Sequence, residues 1–126
     1  MKKQLHSDRV YDDPAPYSQG FVHGETISLA GQVPDDETGA IVGDDIETQT
    51  RQALSNVEKL LAAADASLSD IVSVTAYLTD MDDLSGFNET YAEILPDPKP
   101  ARTTVAVSAL AVDARLELQV VAVKNE

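Results

Sequence analysis

The chain has 126 residues, 22 acidic against 9 basic side chains, and neither Cys nor Trp. That length suits one domain spanning 1–126, long enough to bury a core without a metal or disulfide staple; the lack of Cys excludes disulfides, Cys-ligated zinc, iron–sulfur clusters and thiol catalysis. A formal charge of −13 speaks against nucleic acid and anionic membrane as partners, because both are bound through clustered Lys and Arg.

Met1 to His6 carries charge with no apolar run behind it, so no signal peptide is expected. No stretch approaches the ~20 apolar residues that span a bilayer, and the chain reads as soluble and cytoplasmic. Paired acids recur at Asp12-Asp13, Asp35-Asp36, Asp44-Asp45 and Asp82-Asp83. Two readings stand: a solvated surface that resists aggregation, or adaptation to molar salt, where screening within about 3 Å removes self-repulsion. The pairs, with so few Lys, lean toward salt. None sits in an Asp-x-Asp-x-Asp-Gly loop, so no metal is expected.

Two strands are expected near 19–23 and 26–33, joined by a turn at His23-Gly24-Glu25. From Ile46 to Ala66, Ile46, Ala53, Leu54, Val57, Leu60, Leu61 and Ala64 recur at helical spacing. Gln49, Gln52, Asn56 and Lys59 fall on the opposite face, and Asp44 with Glu47 resembles a capping box. A strand over 71–79 follows, with Val72, Val74, Ala76 and Leu78 on one face and Ser73, Thr75, Tyr77 and Thr79 on the other. A second helix is expected near 83–95, capped by Asp80 or Asp82 and ended by Pro96, Pro98 and Pro100. Two last strands run from Thr103 to Leu110 and from Leu116 to Val123.

The order β-β-β-α-β-α-β-β indicates an α+β fold with a mixed six-stranded sheet and two helices on one face. The other face carries Val105, Val107, Val121 and Val123 with no helix left to cover them. A second copy of the chain is the simplest cover, so a homo-oligomer is expected.

Few residues offer chemistry. His6 and His23 are the only histidines and read as surface residues; no nucleophile elbow, zinc motif or phosphate loop is present. Arg102 stands out, directly after a proline-stiffened segment at the start of a strand. Period 2 puts Thr104, Ala106 and Ser108 on its side, leaving room before a guanidinium suited to two-bond recognition of a carboxylate. Its alternative, in a chain this acidic, is an ordinary salt bridge.

Six segments then appear in order: Pro16-Tyr17-Ser18-Gln19; Ala30-Gly31-Gln32-Val33-Pro34; Thr48 to Val57; Val74 to Asp80; Phe87-Asn88-Glu89-Thr90-Tyr91; and Pro100 to Val107 running into Leu116 to Val123. Together they resemble the RidA/YjgF family of reactive-intermediate (enamine/imine) deaminases. The resemblance implies a chorismate-mutase-like fold assembled as a homotrimer, its sheets lining a central barrel and its clefts between subunits. It implies hydrolysis of short 2-imino acids to 2-keto acids and ammonia without a cofactor. On the same resemblance Arg102 holds the substrate carboxylate, Tyr17 and Asn88 line the cleft, Gly31 lets the backbone come close, and Thr104 stands where relatives often carry Cys.

Two departures from the family pattern are expected to matter. Ala30 replaces a hydroxyl residue before Gly31. The acid that relatives place on the last strand is read as Gln119, which can hold a water but not take its proton, leaving Glu117 two residues away. A slowed deaminase is therefore one reading, and a non-catalytic binder of small 2-keto acids or other carboxylates the other. RNA cleavage, a label the family has carried, is opposed by the charge.

Overall fold

The computed structural model describes residues 1–124. Its elements follow the expected order: β1 (Lys2–Leu5), β2 (Gly20–His23), β3 (Thr26–Leu29), α1 (Ile46–Ala63), β4 (Ile71–Leu78), α2 (Leu84–Ile94), β5 (Ala101–Ala106) and β6 (Leu116–Val123). Short 3-10 turns at Leu68–Asp70 and Met81–Asp83 lead into β4 and α2. The strands form one mixed sheet in the order β1-β2-β3-β6-β4-β5. β4 and β5 run parallel, and α2 supplies the crossover that a parallel pair needs.

One sheet face meets both helices. Ile27, Val74, Ala76, Leu78, Leu118 and Val120 are buried there against Leu54, Val57, Leu60 and Leu61 of α1 and Phe87 and Tyr91 of α2. Each of the Val, Ile, Leu and Phe side chains contributes on the order of 1.5–3 kcal/mol by leaving water. The other face is uncovered in the single chain: Val105 and Val123 are 37% and 36% exposed. No helix among the described residues is long and apolar enough to cross a membrane.

Several boundaries differ from the sequence pattern, each for a local reason. β3 stops at Leu29, because the chain leaves the ladder at Ala30-Gly31 and rejoins β6 through an isolated Gln32–Leu118 bridge. α1 is capped by Asp45 rather than Asp44, its carboxylate accepting from Thr48 N–H at 2.9 Å. The helix ends at Ala63, where Asp65 turns to φ 58° and the N–H groups of Ala64 and Ala66 close onto Leu61 O. Val72 is 46% exposed rather than inward, since a bulge between Ile71 and Ser73 hands the inward place to Ile71. Asp80 caps the 3-10 turn through Asp82 N–H, and α2 begins only at Leu84. β5 runs 101–106, because its pairing with β4 ends at Leu78–Ala106.

The polar side of α1 is not a solvent face. Gln49 and Asn56 are 3% and 2% exposed. Gln49 accepts from Arg115 N–H at 2.8 Å and donates to Gly43 O at 3.1 Å. Asn56 donates to Val33 O and to both Asp35 O and Asp35 Oδ1 at 2.9–3.1 Å. Buried side-chain amides need hydrogen-bond partners; the loop backbone supplies them, and Asn56 thereby pins the 33–35 segment over the helix.

Candidate functional site

The residues singled out above fall into two groups. Arg102, Asn88 and Thr104 form the first. Arg102 pairs in register with Val74, which is 1% exposed, so its side chain leaves the sheet on the helix side at the β5 edge. Its guanidinium carbon lies 5.1 Å from the Phe87 ring centroid and 4.9 Å from that of Tyr91. These two rings, 5.3 Å apart, form a floor beneath the charge. Nη2 donates to Asn88 Oδ1 at 2.7 Å. Among the described residues no carboxylate lies within ion-pair distance of Arg102, so the salt-bridge reading finds no partner there. A guanidinium has five N–H donors, and one bond to a neutral amide leaves a fork for an incoming anion. Thr104 shares the Arg102 face, and its hydroxyl oxygen and that of Tyr91 are buried without a hydrogen-bond partner among the described residues.

Tyr17 and Gly31 belong to the second group. They line a pocket of about 340 Å³ together with Asp13, Ala30, Asp35 and Glu117. Gly31 lets the Glu117 carboxylate come up against the backbone: a Cβ there would overlap that carboxylate and displace it. Burial raises the Glu117 pKa above the ordinary glutamate range. Asp35 is likewise raised, chiefly by burial, with its own backbone and Asn56 opposing. The Tyr17 phenol is pushed up to about 12, first by partial desolvation, then by its hydrogen bond to Asp13, then by the charges of Asp13, Asp35 and Glu117.

Gln119 does not line this pocket. It sits on the open sheet face one pleat beyond Glu117, paired with Thr75, where its Oε1 accepts from Tyr77 O–H at 3.5 Å. The side chain that reaches Tyr17 and Gly31 is Glu117. Alternation places Glu117 and Gln119 on one face, but only the path of the Ala30-Gly31 segment across β6 distinguishes them. His6 and His23 stay exposed, bonded to Asp12 and Ser28. Among the described residues no three His, Asp or Glu side chains gather as a metal site.

The two groups cannot serve one small ligand within a single chain. Val74, the neighbour of Arg102, pairs with Val120 on the covered face, whereas Glu117 and Gln119 point to the open face. Two strand spacings, roughly 10 Å, separate β5 from β6 before the opposite directions are counted.

Comparison with known proteins bears on this arrangement. Residues 10–124 match the family described as Endoribonuclease L-PSP. A RutC family protein of Pyrococcus horikoshii is 43% identical over 126 residues, covering 99% of this chain and 100% of that protein. Reactive Intermediate Deaminase A, chloroplastic, of Arabidopsis thaliana is 38% identical over 124 residues, covering 96% of this chain and 65% of the plant protein. The crystal structure of Escherichia coli TdcF with bound serine is similar at a TM-score of 0.92 and 32% identity, covering 98% and 99% of the two chains. Matches of this extent, in sequence and in fold, show that the chain belongs to the Endoribonuclease L-PSP family, the RidA/YjgF proteins.

Proposed function

We propose that this chain hydrolyses short 2-imino acids to 2-keto acids and ammonia, in clefts of a homotrimer where Arg102, Asn88 and Thr104 of one copy face Tyr17, Gly31 and Glu117 of the next. The carrying observation is the Arg102 guanidinium, with no carboxylate partner among the described residues, seated over two rings and held at one edge by Asn88. A 2-imino acid bears a carboxylate beside its C=N carbon. Gripping that carboxylate in two bonds fixes the carbon for attack and removes the entropy of finding the geometry.

Water then adds to the C=N carbon while nitrogen takes up a proton, giving a carbinolamine. Loss of the hydroxyl proton and protonation of nitrogen break the C–N bond, releasing ammonia and leaving the keto group. Glu117 is the group we assign to the water: an ionised carboxylate made more basic by burial can take the first proton and return it to nitrogen. Gln119, outside the pocket, is left as its neighbour on the strand, so the amide at 119 removes no general base. The serine bound in TdcF is a small amino acid carrying the carboxylate this reading requires, and the Arabidopsis relative is named a deaminase. The family description as endoribonuclease is not the reading we adopt: a net charge of −13 and a pocket walled by Asp13, Asp35 and Glu117 repel a polyanion.

The test generates 2-iminobutanoate in situ with a threonine dehydratase and follows ammonia release with and without the protein. Faster release, by a species that sediments as a trimer, is the expected result. Release no faster than buffer rejects the proposal.

A further inference from the structure

The Tyr17 hydroxyl is held by a residue that neither the motifs nor the comparisons single out. Asp13 Oδ1 accepts the Ala15 N–H at 2.9 Å, an Asx-type turn, while Pro14 and Pro16 restrict the backbone on either side. Tyr17 N–H closes onto Ala15 O at 2.8 Å. The carboxylate is thereby fixed before any ligand arrives, and its Oδ2 accepts the Tyr17 O–H at 3.0 Å. An ionised carboxylate can only accept, so the phenol must be the donor.

We infer that Asp13 is a positioning residue which turns the Tyr17 hydroxyl into a hydrogen-bond acceptor toward the cleft, so that the cleft favours the N–H of an imine, carbinolamine or ammonia over the oxygen of the keto acid product. The proton of the phenol is taken up by the bond to Asp13, and the lone pairs remain for the ligand. The groups facing that hydroxyl are of one sign: Asp13, Asp35 and Glu117 all act on Tyr17, and Asp12 completes the same pocket wall. They oppose ionisation of the phenol, which therefore stays an O–H with its direction set by Asp13. Substrate nitrogen carries hydrogen and the product's keto oxygen does not. A fixed acceptor at this point therefore discriminates between them and helps product leave.

This inference rests on the deaminase reading for its ligand, but not for its geometry, and the test separates the two. Asp13→Asn keeps the turn, because the amide oxygen can still accept the Ala15 N–H; its NH₂ then donates to the Tyr17 oxygen and reverses the phenol, freeing its proton for the cleft. The first readout is ultraviolet titration of Tyr17 in the native protein, taken as the difference from Tyr17→Phe. In Asp13→Asn the Tyr17 ionisation is expected to move down from its wild-type position. The second is calorimetric binding of 2-oxobutanoate, expected to tighten by about tenfold, the scale of one hydrogen bond gained. An unmoved titration overturns the inference. So does a moved titration with unchanged keto-acid affinity, for then Asp13 sets only the charge on Tyr17. If the wild type neither releases ammonia nor binds 2-oxobutanoate, the deaminase reading fails instead, and the titration alone decides the role of Asp13.

Discussion

Arg102→Lys and Arg102→Ala separate charge from shape at the proposed carboxylate clamp. The guanidinium holds three things at once: the bond to Asn88 at 2.7 Å, the ring floor of Phe87 and Tyr91, and a free edge for the ligand. Lys retains the charge but has no planar fork to lie on the rings while bonding both Asn88 and a carboxylate. Charge-assisted hydrogen bonds are worth about 1.5–3 kcal/mol each when well shielded. Arg102 is only half-buried, so solvent screening argues for the low end, about 2–3 kcal/mol in all. That corresponds to roughly a thirty- to two-hundred-fold fall in kcat/KM for Arg102→Ala. The fall should show in KM if the clamp only binds, and in kcat as well if it also aligns the imine carbon. Arg102→Lys is expected between wild type and Ala. Losing the ring contacts and the Asn88 bond also costs about 1–2 kcal/mol of stability, so circular dichroism must confirm folding at the assay temperature. Ammonia release from in-situ 2-iminobutanoate is the assay. A folded Arg102→Ala protein within twofold of wild type refutes the clamp.

Other outcomes follow from the second pocket and the helix cap. Glu117→Gln is expected to lower kcat by the 10²–10⁴-fold typical of a positioned general base. The same change should raise the melting temperature at pH 7. Burial lifts the Glu117 pKa above its unfolded value, so the stability linked to its proton is present below the unfolded pKa and lost as pH rises through the folded one. Melting curves of the two proteins should therefore converge as the pH is lowered into the carboxylate range; a constant gap contradicts the linkage. Gly31→Ala places a Cβ on the Glu117 carboxylate and forces it aside. Turnover should drop on the order of a hundredfold, and unchanged kinetics would show that the close approach is incidental. Asp45→Ala removes the acceptor for Thr48 N–H at the start of α1; thermal unfolding should fall by about 3–6 °C, with activity at low temperature preserved.

The order of elements, the helix spans to within a few residues and the limits of β6 were legible because they depend on local periodicity and turn chemistry. Leu116 to Val123 alternates cleanly and is the strand observed. The place of Arg102 at the start of β5, on one face with Thr104, was legible for a similar reason, since strand alternation is local. Thr104 follows from the same alternation, whereas Asn88 came to the cluster through the family motifs rather than through spacing. Val72 was misplaced because a bulge, which depends on how β4 pairs with β6, breaks the alternation.

What the tertiary structure decided is which groups meet. Alternation fixes the side of a strand a residue takes but not which of two residues on that side lies beneath a passing loop. Glu117 rather than Gln119 reaches the pocket because the chain leaves the sheet at Ala30-Gly31 and rejoins it beside Leu118. Gln49 and Asn56 are buried because the 33–43 loop and Arg115 bring backbone groups to them, which no helical wheel reveals. Arg102 and Glu117 stand two strand spacings apart because β4 lies between β5 and β6, and on opposite faces because the register sets Arg102 beside the buried Val74 and Glu117 beside Tyr77. Strand order is a long-range property, set by how the whole sheet packs on its two helices and not by any segment read alone.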